Sequence, residues 1–233
     1  MTIADNIAAV RARMARAARR SGRNPAEVAL VAVSKTHPAG MVRQAWQAGV
    51  DTVGENYIQE AREKIAALAD CPLSWHFIGH LQSNKAKYAA DLFDLIHGVD
   101  SLKLAREIDK QAAKIGKRQP VLIQVNISGE ATKSGTTEAD ALALVREAGR
   151  LEHVQVRGLM TMPPFFDQPE RARPYFAVLR RLRDRIRTEE VAGVDMAELS
   201  MGMTGDFEVA IEEGATLVRI GTAIFGPREY REA

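Results

Sequence analysis

The sequence is poor in the features that mark several common protein classes. It holds one cysteine, Cys71, in 233 residues. An intramolecular disulfide is excluded, and a chain of this length can build a core without one. No neighbour in sequence would activate the Cys71 thiol, so it is expected to be inert. No apolar run approaches the roughly 18 residues that a membrane-spanning helix needs. The N-terminus has no compact apolar stretch leading to a small-residue cleavage site, which argues against a secretory signal. Net charge is only +2, so no field of one sign points to nucleic acid or a membrane surface. No GxGxxG follows the first strand-like run, which removes the usual dinucleotide fingerprint. Linkers, low-complexity segments and breaks in composition are missing as well. One domain over residues 1–233, in a cytoplasmic protein, is the expectation.

Basic residues are locally dense. Arg11, Arg13, Arg16, Arg19, Arg20 and Arg23 crowd the start, and a second cluster runs over residues 171–187. Both alternate with apolar positions at helical spacing, the pattern of solvated helix faces rather than of a nucleic-acid surface. An arginine-rich start also resembles a mitochondrial transit peptide. However, Ile3, Ile7, Val10, Met14 and Ala17 step by four and three, the stripe of a helix packed on a core. An N-terminal helix over residues 1–22 is predicted.

Strand-like runs then recur every 20 to 35 residues. They cover residues 28–35, 50–56, 74–79, 94–100, 120–128, 154–162, 197–204 and 216–226. Helical stretches lie between them, at 41–48, 57–68, 84–90, 102–115, 138–150, 171–188 and up to residue 211. Strands that alternate with helices argue for a parallel sheet with crossover helices. Eight is the number that closes a (β/α)8 TIM barrel. An open doubly wound sheet is the alternative. The eighth helix is nearly missing, and the N-terminal helix is the natural cover for that gap.

In such a barrel, functional residues gather at the C-terminal ends of the strands. Those ends carry Lys35, then Asn56, then His80 with Gln82 and Ser83. Asn126 with Ser128, Met160 with Thr161, Ser200 with Met203, and Arg219 with Gly221 and Thr222 follow. Lys35 closes the run LVAVSK, whose first four residues are apolar. A lysine leaving such a strand is partly desolvated, which favours the neutral amine that attacks aldehydes. It can equally snorkel to the rim.

The loops after strands seven and eight frequently bind phosphate in these barrels. Gly202, Gly221 and Gly226 permit close approach of backbone N–H groups, and Ser200, Thr204 and Thr222 add hydroxyls. A lysine at strand one with an anion seat at strands seven and eight suits a phosphorylated aldehyde. Pyridoxal 5'-phosphate is one such ligand, and a sugar phosphate bound by an aldolase is another. Arg219 shares the face of Gly221 and, if buried, needs an acceptor. The pyridine nitrogen of pyridoxal phosphate would serve, as would a carboxylate inside the barrel. An arginine there keeps its proton, so the ring nitrogen would stay unprotonated and the ring would be a poor electron sink.

Six stretches are together far more specific than a shared barrel: LVAVSKTHP, GENYIQEAREK, WHFIGHLQSNK, IQVNISGEATKSG, GLMTM and LSMGMTGDFEVAIEEGATLVRIGTAIFG. On these the chain closely resembles the pyridoxal-phosphate homeostasis protein family, over nearly its whole length. The fold of that family is similar to the barrel domain of alanine racemase. The resemblance implies a Schiff base between Lys35 and pyridoxal phosphate. It implies phosphate contacts from Ser200, Gly221 and Thr222, a ring-nitrogen contact from Arg219, and Asn56 beside the cofactor. Met201 and Met203 would line the phosphate seat. His80 would lie near the mouth. Lys133 is expected to be a solvated loop lysine rather than a second anion contact. Thr204 stands where the family pattern suggests serine, and it keeps the hydroxyl.

The resemblance implies a carrier that stores, buffers or delivers the cofactor. Its expected partners are the cofactor and the apo-enzymes that use it, with no nucleic acid, membrane or metal, in a monomer or weak homodimer. A two-base racemase needs a second acid/base on the opposite face of its substrate. The chain stops at Ala233, so a further domain carrying that base is not expected. Tyr57 or His80 could substitute, but no spacing supports it. A Schiff-base aldolase would need an acid/base set beside Lys35 and would leave Arg219 without a purpose.

Overall fold

The computed structural model describes residues 2–130 and 132–227. Among them, eight parallel strands pair in chain order and close into a barrel. The strands are β1 (Ala29–Val33), β2 (Thr52–Glu55), β3 (Ser74–Phe77), β4 (Leu95–Val99), β5 (Gln119–Gln124), β6 (Val154–Met160), β7 (Val194–Ser200) and β8 (Leu217–Ile220). The helices are α1 (Ile3–Arg20), α2 (Ala39–Gln47), α3 (Ile58–Ala67), α4 (Ala86–Leu92), α5 (Leu102–Lys114), α6 (Glu138–Gly149), α7 (Arg173–Thr188), α8 (Phe207–Glu212) and α9 (Thr222–Phe225). The predicted TIM barrel is the observed one. No described helix is long and apolar enough to cross a membrane.

Strand alternation separates two cores. Leu30 and Ala32 of β1 face the helical layer and join its large apolar cluster. Val31 faces inward and meets Leu95, Leu122, Met160 and Leu217 in a small cluster inside the barrel. That inner plug fills the lower interior and leaves the layer above it to polar side chains. The register sets Val31 beside Arg219, and Met160 beside Ser200.

Three strands depart by three residues or more at one end from their predicted bounds. β5 stops at Gln124 because Asn126 turns into the next loop, where its amide binds Glu130 O and Lys133 O. β7 begins earlier and ends at Ser200, since Gly202 adopts φ +91°, which a strand does not use. β8 stops at Ile220, and the predicted remainder of the run turns into the short helix α9.

α1 is capped by Thr2, whose side chain accepts from Asp5 N at 3.1 Å. Its predicted stripe is its buried face, with Ile7, Val10, Met14 and Ala17 all buried. Asn6 Nδ2 donates to Ile224 O at 2.9 Å, which ties α1 to α9. The basic clusters are largely solvated faces, with Arg16, Arg19, Arg181, Arg185 and Arg187 exposed, but some members also act as fasteners. Arg13 pairs with Glu208, and Arg20 and Arg173 share Glu212. Arg23 Nη1 donates to Ile211 O and Ala215 O, both at 2.8 Å. Cys71 is buried and gains a partner distant in sequence, Arg43 Nη1, 3.3 Å from its sulfur.

Candidate functional site

A cavity of about 340 Å³ opens at the C-terminal end of the barrel, within the range of small-molecule sites. Lys35 enters it from the turn after β1. That turn is held from behind by an ionic cluster between β2 and α3. Lys64 Nζ, almost fully buried, donates to Ser34 O at 2.6 Å, Glu55 Oε1 at 2.7 Å and Glu60 Oε1 at 2.6 Å. Ser34 Oγ donates to Glu55 Oε1 at 2.5 Å, and Thr36 N to Glu60 Oε1 at 2.5 Å. His37 stacks on Phe225 with centroids 5.3 Å apart, so the turn is also joined to α9. Burial raises the Glu55 carboxyl above its ordinary range, with Lys64 partly opposing the shift. Thr36 sits at φ +68°, strained for a β-branched residue.

Across the mouth, Arg219 is 3 % exposed and lines the same cavity. Nη1 donates to Ser200 Oγ, and Nη2 donates to Thr161 O at 3.0 Å. Ser200 Oγ lies 2.8 Å from His97 Nδ1, and His97 Nε2 lies 3.1 Å from His76 Nδ1. The guanidinium has only donors, so Ser200 Oγ accepts from Arg219. In the arrangement with both rings neutral and every group paired along the file, Ser200 gives its hydroxyl proton to His97 Nδ1. His97 then carries its proton on Nε2 and donates it to His76 Nδ1. Both rings are neutral in this arrangement. Burial agrees, pushing His76 down to about 4 and holding His97 well below the ordinary histidine range. Burial also draws Arg219 down to about 10, with Asp206 opposing it, so the guanidinium stays charged at neutral pH.

Part of the remaining wall comes from the loops after β7 and β8. Met203, Thr204, Gly205 and Asp206 follow β7, and Gly221 and Thr222 open α9. Asp206 Oδ1 accepts from Met203 N at 2.6 Å and so shapes the first loop. The first turn of α9 leaves the N–H groups of Thr222 and Ala223 without an intrahelical acceptor. Asn56 lines the cavity, and the backbone at residue 79 passes so close to it that a Cβ there would lie 2.6 Å from Asn56 O.

Comparison with known proteins places this architecture. Residues 6–229 match the family described as alanine racemase, N-terminal domain. The pyridoxal phosphate homeostasis protein of Pseudomonas aeruginosa is 49 % identical, over 98 % of this chain and 97 % of its own. The protein of the same name from Aquifex aeolicus is 46 % identical, over 99 % of this chain and 100 % of its own. The chain belongs to the pyridoxal phosphate homeostasis protein family. The solved structure of PipY from Synechococcus elongatus with pyridoxal phosphate bound is 38 % identical to this family member. It superposes with a TM-score of 0.84, over 97 % of this chain and 100 % of PipY.

Within this family member, Lys35, Asn56, Met203, Arg219, Gly221 and Thr222 converge on one cavity, and Ser200 and Met201 do not. Both are fully buried: Ser200 faces the barrel interior and is engaged by Arg219 and His97, and Met201 belongs to the core under the helices. Thr204 carries its hydroxyl to the cavity instead. His80 lies outside this cavity, with Nδ1 3.1 Å from Ser134 Oγ. Lys133 also lies outside it, with Nζ 3.1 Å from Glu130 Oε1 at an angle too poor for a hydrogen bond. Asn126 and Ser128 organise their own loop. Sequence reasoning missed Met162, Phe165 and Phe166, which form one side of the mouth. Phe165 is 85 % exposed. The signal was the PPFF run, two aromatic residues placed straight after two prolines where a loop would be polar.

Proposed function

We propose that this chain holds pyridoxal 5'-phosphate covalently at Lys35 and buffers it or delivers it to apo-enzymes, without robust turnover of its own. One observation carries the reading: an amine, a buried cation and an anion seat face one cavity from three separate strand ends. The donor set fits this cofactor. When bound, it supplies an aldehyde that condenses with a primary amine. Lys35 is that amine, held in place by the Lys64 cluster behind its turn. Arg219 donates toward the ring nitrogen and keeps it an acceptor, because the guanidinium does not release its proton near neutral pH. Thr204, Gly205, Gly221 and Thr222 receive the phosphate. Asn56 Oδ1, buried and without a hydrogen-bond partner among the described residues, is available beside the ring. PipY, which binds this cofactor, supports the assignment.

Among the described residues, the titratable side chains lining the cavity are Lys35, Asp206 and Arg219. Asp206 has its carboxyl raised by burial and bound to its own loop. Tyr57 and His80 line a neighbouring cavity instead. These facts favour a carrier over a two-base racemase. A cytoplasmic, membrane-free location and a monomer or weak homodimer belong to the same reading.

The test is borohydride reduction of the yellow protein followed by mass spectrometry. The adduct should sit on Lys35, and Lys35→Ala should be colourless. Amino-acid racemisation above the Lys35→Ala level would replace the carrier by an enzyme. An adduct on another lysine would remove the assignment.

A further inference from the structure

Beside the mouth lies a second hollow, of about 670 Å³. Tyr57 and Arg62 form one wall, from the start of α3, and His80, Lys85 and Tyr88 form the other. Asn56 is common to both cavities. Two properties set this hollow apart from ordinary surface. The first is aromatic: Tyr57 is 59 % and Tyr88 41 % exposed, although tyrosine rings are usually more covered. The second is charge. Arg62 and Lys85 both line the hollow, and its lining contains no carboxylate.

Neither cation is in an ion pair among the described residues. Arg62 Nη2 donates to the neutral Gln59 Oε1 at 3.0 Å, and Lys85 Nζ sits 5.9 Å from the centre of the Tyr88 ring. Lys64, two residues beyond Arg62, shows the contrast, since it is bound by two carboxylates. Flat faces for stacking and two cations for an anion describe the recognition chemistry of a planar ring bearing a phosphate.

We propose that this hollow is a second, non-covalent site for a phosphorylated heteroaromatic, adjoining the Lys35 cavity through Asn56. The proposal rests on the functional reading above and deepens it: a ligand of the same class waits here before entering, or after leaving, the covalent site. Tyr57 and Tyr88 receive the ring, and Arg62 and Lys85 receive the phosphate.

The experiment uses protein whose Lys35 adduct has been fixed with borohydride, so that the first cavity is filled. Pyridoxine phosphate, which has an alcohol in place of the aldehyde and cannot condense, is then titrated by calorimetry. One further equivalent should bind. Its affinity should fall at least tenfold in Arg62→Ala/Lys85→Ala, fall similarly in Tyr57→Ala, and recover in Arg62→Lys/Lys85→Arg. Raised salt should weaken it. Inorganic phosphate should compete poorly; equal competition would overturn the aromatic half of the proposal. An adduct at Lys35 with no second equivalent would defeat this inference alone. Absence of the adduct would defeat the functional reading before the titration begins. A second equivalent indifferent to Arg62 and Lys85 would place the ligand elsewhere and overturn the site.

Discussion

The polar cluster behind β1 and β2 is ionic, whereas the one crossing the barrel interior from β3 and β4 to β7 and β8 is a file of neutral groups ending on a single cation. Lys64, Glu55 and Glu60 lie between the sheet and α3, where opposite charges meet directly. They grip main-chain atoms, Ser34 O and Thr36 N, and so fix the turn that carries Lys35. His76, His97 and Ser200 lie in the barrel interior, where no carboxylate is bonded to them. Burial there strips the histidines of charge, and the file grips a side chain, Arg219. One cluster positions an amine through the backbone. The other positions a guanidinium through its own nitrogen. The two therefore fail differently.

Removing the cation from the ionic cluster should have the largest effect. Lys64→Met leaves Glu55 buried with no counter-charge, and breaking such a pair costs about 3–5 kcal/mol. Urea unfolding should show that loss, and the covalent adduct at Lys35 should form more slowly. Adding Glu55→Gln should restore part of the stability, because the uncompensated charge is then gone. A loss under about 1 kcal/mol in Lys64→Met would mean that the cluster is not what holds the turn.

The neutral file should instead reveal itself through pH. His76 titrates near 6.5 when unfolded and at about 4 when folded. Between those values the unfolded chain binds the proton and the folded chain does not. Stability is then fully present above pH 6.5 and declines as pH falls toward about 4. A shift of this size corresponds to roughly 3 kcal/mol from His76, and His97 adds in the same direction. His76→Gln/His97→Gln should flatten this acid limb when unfolding is measured across the window. An unchanged slope would show that the rings are already protonated in the fold.

Ser200 and Thr204 divide the same two roles more finely. Ser200→Ala should destabilise the fold by about 1–3 kcal/mol, since Arg219 Nη1 and His97 Nδ1 both lose a buried partner. Thr204→Ala should leave unfolding within about 0.5 kcal/mol and weaken cofactor binding. The reverse pattern would return Ser200 to the phosphate seat.

How this division escaped the sequence is instructive. The strands and their closure were legible, because apolar runs recur at regular intervals with helical stripes between them. Lys35, Asn56, Arg219, Gly221 and Thr222 were legible because a parallel barrel collects its strand ends at one mouth. The fate of Ser200 was not. It depends on β7 ending at Ser200 rather than running on to Thr204, a limit set by the φ of Gly202. It depends also on a partner, His97, that lies 103 residues away in sequence. No local spacing encodes a contact across the inside of a barrel. The ion pairs of Arg13 and Arg20 escaped for a related reason, since their carboxylates sit on α8, far along the chain.

A small net effect on stability is also expected in the turn itself. Thr36 holds φ +68°, a region that costs an L-residue about 1–2 kcal/mol. Thr36→Gly removes that strain but gives the unfolded chain more freedom, a penalty of about 0.5–1 kcal/mol. The two nearly cancel, so unfolding should move by less than about 1 kcal/mol. Positioning is a separate matter. Strain persists only where surrounding contacts impose it, and here the bond from Thr36 N to Glu60 does so beside the reactive amine. Glycine makes other backbone conformations accessible, so the Lys35 amine should sample more directions and the adduct should form several-fold more slowly. If stopped-flow absorbance shows an unchanged rate, the ionic cluster alone sets the position of Lys35 and the strained residue contributes nothing to it.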